Sequence, residues 1–367
     1  MPALLDRNDV AARLRERTID LVSLLTTPLL PADYLDLVSP LRSGADLRGR
    51  VVEVRPETRD AVTLVIQPGR GWAGHIPGQY VRIGLDIDGV RAWRAYSLTS
   101  PADRVDGCIA ITVKAIPDGL VSNHVVRRAR AGTLVHIDQA CGEFVLPDAR
   151  PAKVLFATAG SGITPVMGML RSALDELDDV VVVHCAPTAA DVIFAGELRQ
   201  LAARGRIKLI ERHTDADGML DAVQLAALVT DIDERETWAC GPSGMLDALE
   251  RQWAELGIPE RLHTERFRPT VLVTGDGGAV TFTTSNVEVD ADGATSLLDA
   301  GESAGVLMPS GCRMGICFGC LAPLREGAVR DLRNGDLTTA SPDGGPARPV
   351  LVQTCVSAAA GTCQIEL

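Results

Sequence analysis

Cys312, Cys317, Cys320 and Cys355 stand in a C-x4-C-x2-C…C arrangement, three of them inside the stretch SGCRMGICFGC. A [2Fe–2S] cluster needs four thiolates drawn from one tight loop and one distant segment, and this is its plant-type spacing. Gly311, Gly315 and Gly319 alternate with the cysteines. Glycine admits left-handed backbone, so such a loop can curl around a bulky anionic ligand and turn its N–H groups toward the sulfurs. The rivals are a zinc site and a set of buried unligated thiols. Structural zinc usually takes two short Cys pairs, and only Cys317 and Cys320 form one. The spacing therefore predicts a centre that carries electrons singly.

Four further stretches carry chemistry-bearing residues. Arg94-Ala95-Tyr96-Ser97-Leu98-Thr99-Ser100 follows Pro77-Gly78-Gln79-Tyr80. A flavin needs an aromatic surface beside its ring, donors for its N5 and carbonyl edges and a cation for its phosphate; Tyr96, Ser97 and Arg94 supply these on one extended strand. An ordinary edge strand with a solvated arginine explains the same residues equally well. Asp118-Gly119-Leu120-Val121-Ser122-Asn123 is a glycine turn entering a helix, whose unpaired N–H groups suit a pyrophosphate. Ser122 serves there as phosphate donor or simply as helix cap.

Ala157-Thr158-Ala159-Gly160-Ser161-Gly162-Ile163-Thr164-Pro165 closes an apolar strand and opens a helix. Its small residues admit a dinucleotide close to the backbone, although it lacks the G-x-G-x-x-G pattern. Cys240-Gly241-Pro242 ends a further apolar strand, at the carboxyl edge where open α/β sheets bind ligands. Its thiol could pack against a nicotinamide, or be a small buried residue.

The elements that must position these groups fall into three patterns. RVVEVRP, AVTLVIQP, QYVRIGLDI, AWRAYSLT, CIAITVKA and TLVHIDQA read as short strands between turns, with one helical stretch, VSNHVVRRA; this predicts an antiparallel barrel over 48–148. From Pro151 the apolar strands KVLFATAG, VVVVHCA, IKLIERH and TWACG alternate with helical stretches, predicting a parallel sheet covered on both faces over 151–267. A linker, 268–278, leads to a unit of small strands around the cysteine loop, 279–367, and an extension, 1–47, precedes the barrel. The apolar stretch LVSLLTTPLLPADYLDLVSPL within that extension holds three prolines, so it cannot be one helix; it packs on the body or touches a membrane or partner.

The 367 residues exceed one compact core, and the net charge of −12 argues against nucleic acid, which needs a basic face. Nine cysteines, four of them better explained as ligands, favour a reducing cytoplasm over a disulfide scaffold. No secretory signal and no transmembrane segment are expected. From residue 279 onward ten acids stand against five arginines and no lysine, a face suited to steering a basic acceptor or merely to solvation.

RAYSLTS, GLVSN, GSGITP, CGP and the four cysteines, in this order, resemble the ferredoxin–NADP reductase superfamily, and within it the three-part reductases with a plant-type ferredoxin at the C-terminus. TTPLLPADYLDLVSPL, APTAADVIFAGEL and VQTCVSAAAGTC further resemble the reductases that serve actinobacterial stearoyl-CoA desaturases; related reductases serve Rieske oxygenases, alkane hydroxylases and cytochromes P450. The resemblance implies a multidomain fold: an antiparallel β-barrel flavin domain, an α/β parallel-sheet nucleotide domain and an α+β (β-grasp) ferredoxin domain.

It implies FAD rather than FMN, held by Arg94, Tyr96, Ser97 and Thr99, with Gly119, Val121 and Ser122 at its phosphates. Gly160, Gly162, Thr164, Cys240 and Gly241 would face NADH or NADPH, with Ser97 and Cys240 as the catalytic pair positioning flavin N5 and nicotinamide. Glu265 and Phe267 match the family's E-x-F, which sets the aromatic ring near the flavin. Cys312, Cys317, Cys320 and Cys355 would ligate the cluster. Arg212-His213-Thr214-Asp215-Ala216-Asp217 carries acids where a 2′-phosphate would want cations, so Asp215 on a ribose hydroxyl favours NADH, while Arg212 and His213 leave NADPH open. The expected route is hydride in, splitting at the flavin, and single electrons out through the cluster. The expected partner is a protein acceptor, a desaturase or an oxygenase, met at the inner face of the membrane where that acceptor is membrane-bound. A redox-sensing interaction protein is the rival from another class, and it would need neither the flavin nor the nucleotide motifs.

Overall fold

The computed structural model describes residues 38–42, 44, 46–87, 89–117, 119–267, 273–311, 313–315, 318–341 and 350–367. Residues 1–37, Asp118, Cys312 and Cys317 lie outside the described residues.

The first unit is a six-stranded antiparallel sheet: β1 (Arg48–Thr58), β2 (Ala61–Pro68), β3 (Tyr80–Ile87), β4 (Val90–Ser97), β5 (Ile109–Lys114) and β6 (Leu134–Ile137), in the order β4-β3-β6-β1-β2-β5. An antiparallel bridge from Leu98 to Ile111 brings its two edges together and closes the barrel. Closure removes the edges that would otherwise expose unpaired backbone groups. Alternate residues point inward, and Leu64, Ile66, Ile83, Leu98, Ile111 and Ile137 fill the interior. Helix α1 (Leu120–Arg128) caps one side with Val121 and Val125.

The second unit is a parallel sheet of β7 (Lys153–Ala159), β8 (Asp179–Ala186), β9 (Lys208–His213), β10 (Glu236–Cys240) and β11 (Leu262–Glu265), in the order β11-β10-β7-β8-β9. The central strands β7 and β8 are buried almost throughout, as a sheet covered on both faces demands. One face packs against α2 (Ile163–Ala173) and α3 (Ala195–Ala203), with Val166, Leu170 and Leu198 in the core. After α4 (Thr214–Asp217), the other face is covered by α5 (Ala222–Leu228) and α6 (Ser243–Glu255), through Leu225, Leu246, Leu249 and Trp253. Sequence patterning anticipates four of these strands and lets the sheet stop near Leu262. The fifth, β11, has the sequence LHTE, with no apolar run to mark it, because it is a short edge strand paired only to β10.

The third unit holds β12 (Gly278–Phe282), β13 (Val287–Ala291), α7 (Leu297–Ser303), β14 (Leu321–Asp331), β15 (Leu337–Ala340), β16 (Val350–Gln353) and β17 (Ser357–Ile365). β12 and β17 pair in parallel and the remaining ladders are antiparallel, giving a mixed sheet over a core of Phe282, Leu298, Val329 and Ile365. Ser296 caps α7, its Oγ accepting from the Asp299 N–H at 3.1 Å. No helix among the described residues is long and apolar enough to cross a membrane.

The barrel and the parallel sheet are joined tightly. The Trp238 indole donates to the Val145 carbonyl at 3.2 Å. Arg171 on α2 donates to the Thr99 carbonyl at 2.6 Å, pairs with Glu197 and lies 4.7 Å over the Phe194 ring. The first ties the segment after β6 to β10, and the second fixes the residues after β4 against α2.

Candidate redox site

A cavity of about 1070 Å³ lies where the three units meet. β4 lends it Arg94, Tyr96 and Ser97; the start of α1 lends Gly119, Val121 and Ser122. The second unit lends Ser161, Thr164, Glu265 and Phe267, and the third lends Asp299, Glu302, Arg313, Met314 and Cys355. The expected flavin residues other than Thr99, one nucleotide residue, the expected aromatic and one expected cluster cysteine thus share one cavity.

The polar groups in it are short of partners. The Arg94 guanidinium donates to the Trp93 carbonyl at 2.7 Å but has no carboxylate partner among the described residues. Burial, with the Arg313 charge adding to it, holds its pKa below the usual arginine value. The Glu302 and Asp299 charges act on it only at a distance, and a desolvated cation with no carboxylate in direct contact is costly, which a phosphate would relieve. The Ser97 Oγ and Thr99 Oγ1 are buried without a hydrogen-bond partner among the described residues, and Ser97 of the two faces the cavity. Thr99 is fully buried behind the cavity wall and does not line it. Burial pushes the Tyr96 phenol well up, keeping it neutral. These residues fit a flavin: an aromatic face, an unsatisfied donor and an unpaired cation. Ser122 donates to the Gly119 carbonyl at 3.3 Å, and its Oγ accepts from the Ile116 N–H at 3.4 Å, so it knits the turn before α1.

Behind Thr164 the β7–α2 loop meets the end of β10. A Cβ on Gly162 would lie 2.0 Å from the Cys240 carbonyl oxygen, so only glycine admits this approach. Gly160 lies in the same loop in the left-handed region, and Gly241 follows Cys240 directly. Cys240 itself is fully buried, and burial together with the nearby Glu265 raises its thiol well above the usual range. Asp215 stands apart, exposed on α4. The neighbouring Asp217 carboxylate accepts from the His213 N–H at 2.8 Å, and the Arg212 guanidinium donates to the Asp217 carbonyl at 2.9 Å.

In the cysteine loop, Cys320 and Cys355 bring their sulfurs to 3.2 Å, both buried. That is well beyond a disulfide's ~2.05 Å and suits two thiolates directed at one iron. The left-handed positions fall on Arg313 (φ 59°), Gly315 (φ 73°) and Phe318 (φ 55°), two of them side chains that adopt it only under constraint. Arg313 is constrained by ion pairs to Asp299 and Glu302 of α7, which also line the cavity.

The comparisons with known proteins match this geometry. Residues 59–146 match the oxidoreductase FAD-binding domain, 156–251 the oxidoreductase NAD-binding domain, and 280–360 the 2Fe-2S iron-sulfur cluster binding domain. A protein of Mycobacterium tuberculosis named NADPH oxidoreductase is 49% identical, over 94% of this chain and 90% of that one. The chain belongs to the ferredoxin–NADP reductase superfamily. The ferredoxin reductase component of the 3-ketosteroid-9-alpha-monooxygenase of Mycolicibacterium smegmatis is 33% identical, over 76% of this chain and 86% of its own. Phthalate dioxygenase reductase superposes with a TM-score of 0.59 at 20% identity, covering 87% of this chain and 97% of its own, which attests the shared three-part fold.

As a ferredoxin-type reductase, the chain is an NAD(P)H-dependent oxidoreductase whose cofactors are FAD and a [2Fe–2S] cluster. Motif reading of this reductase passes over two groups in the cavity. One is the Asp299–Glu302–Arg313 set, which comes into view only when α7 folds over the barrel. The other is the buried state of the Glu265 acid, a residue that the sequence places only as part of E-x-F. Its Oε2 has no partner, and burial lifts its carboxyl to about 8.

That shift has a defined sign. The folded protein holds the Glu265 proton up to about pH 8, whereas the unfolded chain releases it above its ordinary 4.5, so stability falls as pH rises between those values. The cost has an upper bound of ~5 kcal/mol, and about 2 kcal/mol once solvent in the open cleft is allowed for. Glu265→Gln is therefore expected to be more stable than wild type at pH 9 by about 2 kcal/mol and nearly equal at pH 5. Urea unfolding at the two pH values checks this; an equal difference at both would refute the buried acid.

Proposed function

We propose that this reductase draws electrons from NAD(P)H and delivers them one at a time to a separate non-haem iron protein, a fatty-acyl-CoA desaturase. The observation that carries the reading is the single cavity walled by Arg94 and Ser97, by Thr164 and Glu265, and by Cys355, so that donor, converter and exit share one space. Bound flavin accepts hydride and gives up its electrons singly, while a [2Fe–2S] cluster takes one at a time.

In this reading Arg94 neutralises the flavin phosphate, and α1 turns its positive end, at Gly119, Val121 and Ser122, toward the same group. Tyr96 would give the ring an aromatic face, Ser97 would be the donor for N5, Thr99 would support the strand behind, and Phe267 would shield the ring. Gly160, Gly162, Thr164, Cys240 and Gly241 shape the nicotinamide slot. Arg212 and His213 are the groups for a 2′-phosphate and Asp215 the group for a ribose hydroxyl. The name of the Mycobacterium tuberculosis relative, together with Asp217 being engaged by His213, moves the preferred donor from NADH to NADPH. Cys312, Cys317, Cys320 and Cys355 hold the cluster. The cytoplasm supplies both the nucleotide and the reducing conditions that keep these thiols.

The desaturase reading is supported by the resemblance of TTPLLPADYLDLVSPL, most of which lies outside the described residues, and of APTAADVIFAGEL and VQTCVSAAAGTC. A second reading, an oxygenase acceptor, is favoured by the relatives named as monooxygenase reductase components. The acidic steering face is narrower than composition suggests, because Asp299, Glu302, Asp331 and Glu366 are ion-paired. Glu288, Asp290 and Asp292, along and just after the edge strand β13, remain exposed for that role.

Reconstitution decides between acceptors. Purified reductase with NADPH, and separately with NADH, is mixed with a stearoyl-CoA desaturase or a Rieske oxygenase. Desaturated product in the first mixture supports the proposal. Turnover confined to the oxygenase transfers the reading to the second acceptor, and turnover with neither rejects both.

A further inference from the structure

Two backbone carbonyls of the cysteine loop are each held by a pair of donors from outside it. The Gly315 carbonyl accepts from Arg333 Nη1 at 2.9 Å and from Gln353 Nε2 at 3.0 Å. The Cys320 carbonyl accepts from the Thr354 N–H at 3.2 Å and from Thr354 Oγ1 at 3.0 Å. Gln353 and Thr354 directly precede Cys355, so the distant cysteine and the loop are strapped together by their own neighbours.

Arg333 is the charged member of this strap. It lies in the connection between β14 and β15, where Asp331 holds it through Nε at 3.0 Å and Nη2 at 2.7 Å, and Nη2 also donates to Gln353 Oε1 at 3.1 Å. Its fork is thereby committed: one edge to Asp331, one nitrogen to the loop. Gly315 is shaped to receive it, since φ is 73° and a Cβ there would lie 2.4 Å from Arg333 Nη1 and 2.9 Å from Val356 Cγ1. A fixed cation this close to the loop favours whichever state of the enclosed centre is more negative, and a [2Fe–2S] centre gains one negative charge on reduction.

We propose that Arg333 is a positioning residue that sets the reduction potential of the cluster, by holding the Gly315 carbonyl outward and placing a fixed positive charge beside the cysteine loop. The inference rests on Cys320 and Cys355 being cluster ligands. Arg333 acts through the Gly315 carbonyl and through its charge, which is felt at Cys355 and Cys320. Gln353 completes the geometry without charge, and Asp331 orients the guanidinium while offsetting part of its charge.

The test is an EPR-monitored redox titration of the holoprotein, with iron and sulfide content measured on the same samples. Arg333→Gln is expected to retain the cluster and shift its potential negative, by up to tenfold in the one-electron equilibrium, about 59 mV. Arg333→Lys, which keeps the charge but not the fork, is expected to shift by less than a third of that. Asp331→Asn, which removes the counter-charge, is expected to shift the potential positive and serves as the deciding variant if Arg333→Gln holds no cluster. An unchanged potential in Arg333→Gln, equal shifts in the Gln and Lys variants, or a negative shift in Asp331→Asn overturns the proposal. Failure of the underlying reading looks different: wild type would then lack a cluster EPR signal altogether.

Discussion

Cys320→Ser is expected to cut one-electron output severely while sparing reduction of the flavin. Cytochrome c reduction is expected to fall by about 100-fold or more, because a serine oxygen is a hard, protonated ligand where the iron needs a soft thiolate. Direct ferricyanide reduction, which draws on the flavin, is expected to stay within about threefold of wild type, since Cys320 is remote from Arg94, Tyr96 and Ser97 along the chain and does not line their cavity. The two acceptors, assayed on one preparation with flavin content matched, separate the exit from the entrance. Equal survival of both activities would show that electrons leave without the cluster, and equal loss would show that the flavin site had collapsed with it. Cys320 is the more informative choice than Cys317, because its sulfur lies 3.2 Å from that of Cys355 and its carbonyl is held by Thr354.

Ser97→Ala has the second large effect. The Ser97 side chain is 3% exposed, its Oγ has no partner, and it lies in the wall shared with Arg94 and Tyr96. A buried donor aimed at a reacting centre, with nothing else to bond, contributes most when charge develops there. Removing one such donor costs about 100- to 1,000-fold in rate in comparable sites. We therefore expect the rate of flavin bleaching by NADPH, followed by stopped flow, to drop about 100-fold, with nucleotide KM changed by less than about threefold. Flavin itself should remain bound, since Arg94 and Tyr96 are untouched. A bleaching rate equal to wild type would remove Ser97 from the hydride step and leave it a merely buried hydroxyl.

Much of this architecture is legible along the chain because each signal is local. Short β-rich runs between turns, AVTLVIQP and CIAITVKA, mark β2 and β5, and continuous apolar runs in KVLFATAG and VVVVHCA mark β7 and β8. β11 is invisible to such reading, because LHTE carries no periodicity and becomes a strand only by pairing with β10. The left-handed positions of the cysteine loop illustrate the same limit. Glycine identity points to Gly315 correctly, whereas Arg313 holds that conformation with its side chain ion-paired to Asp299 and Glu302 of α7, contacts that composition does not encode.

The candidate site divides along the same line. The C-x4-C-x2-C…C spacing names the cluster, and the order of RAYSLTS, GSGITP and CGP names the flavin and the nucleotide, because ligand chemistry constrains residues that are close in sequence. Only the tertiary structure brings Arg94, Glu265 and Cys355 to one cavity and leaves Arg94, among the described residues, without a carboxylate in hydrogen-bond contact. It also lifts the Glu265 carboxyl to about 8 and closes Arg333 onto Gly315. Desolvation and long-range contact create those properties, and both depend on which distant segments meet. The residues that could carry electrons were written in the chain; the field and the enclosure that make them do so arise only when its three units close on one another.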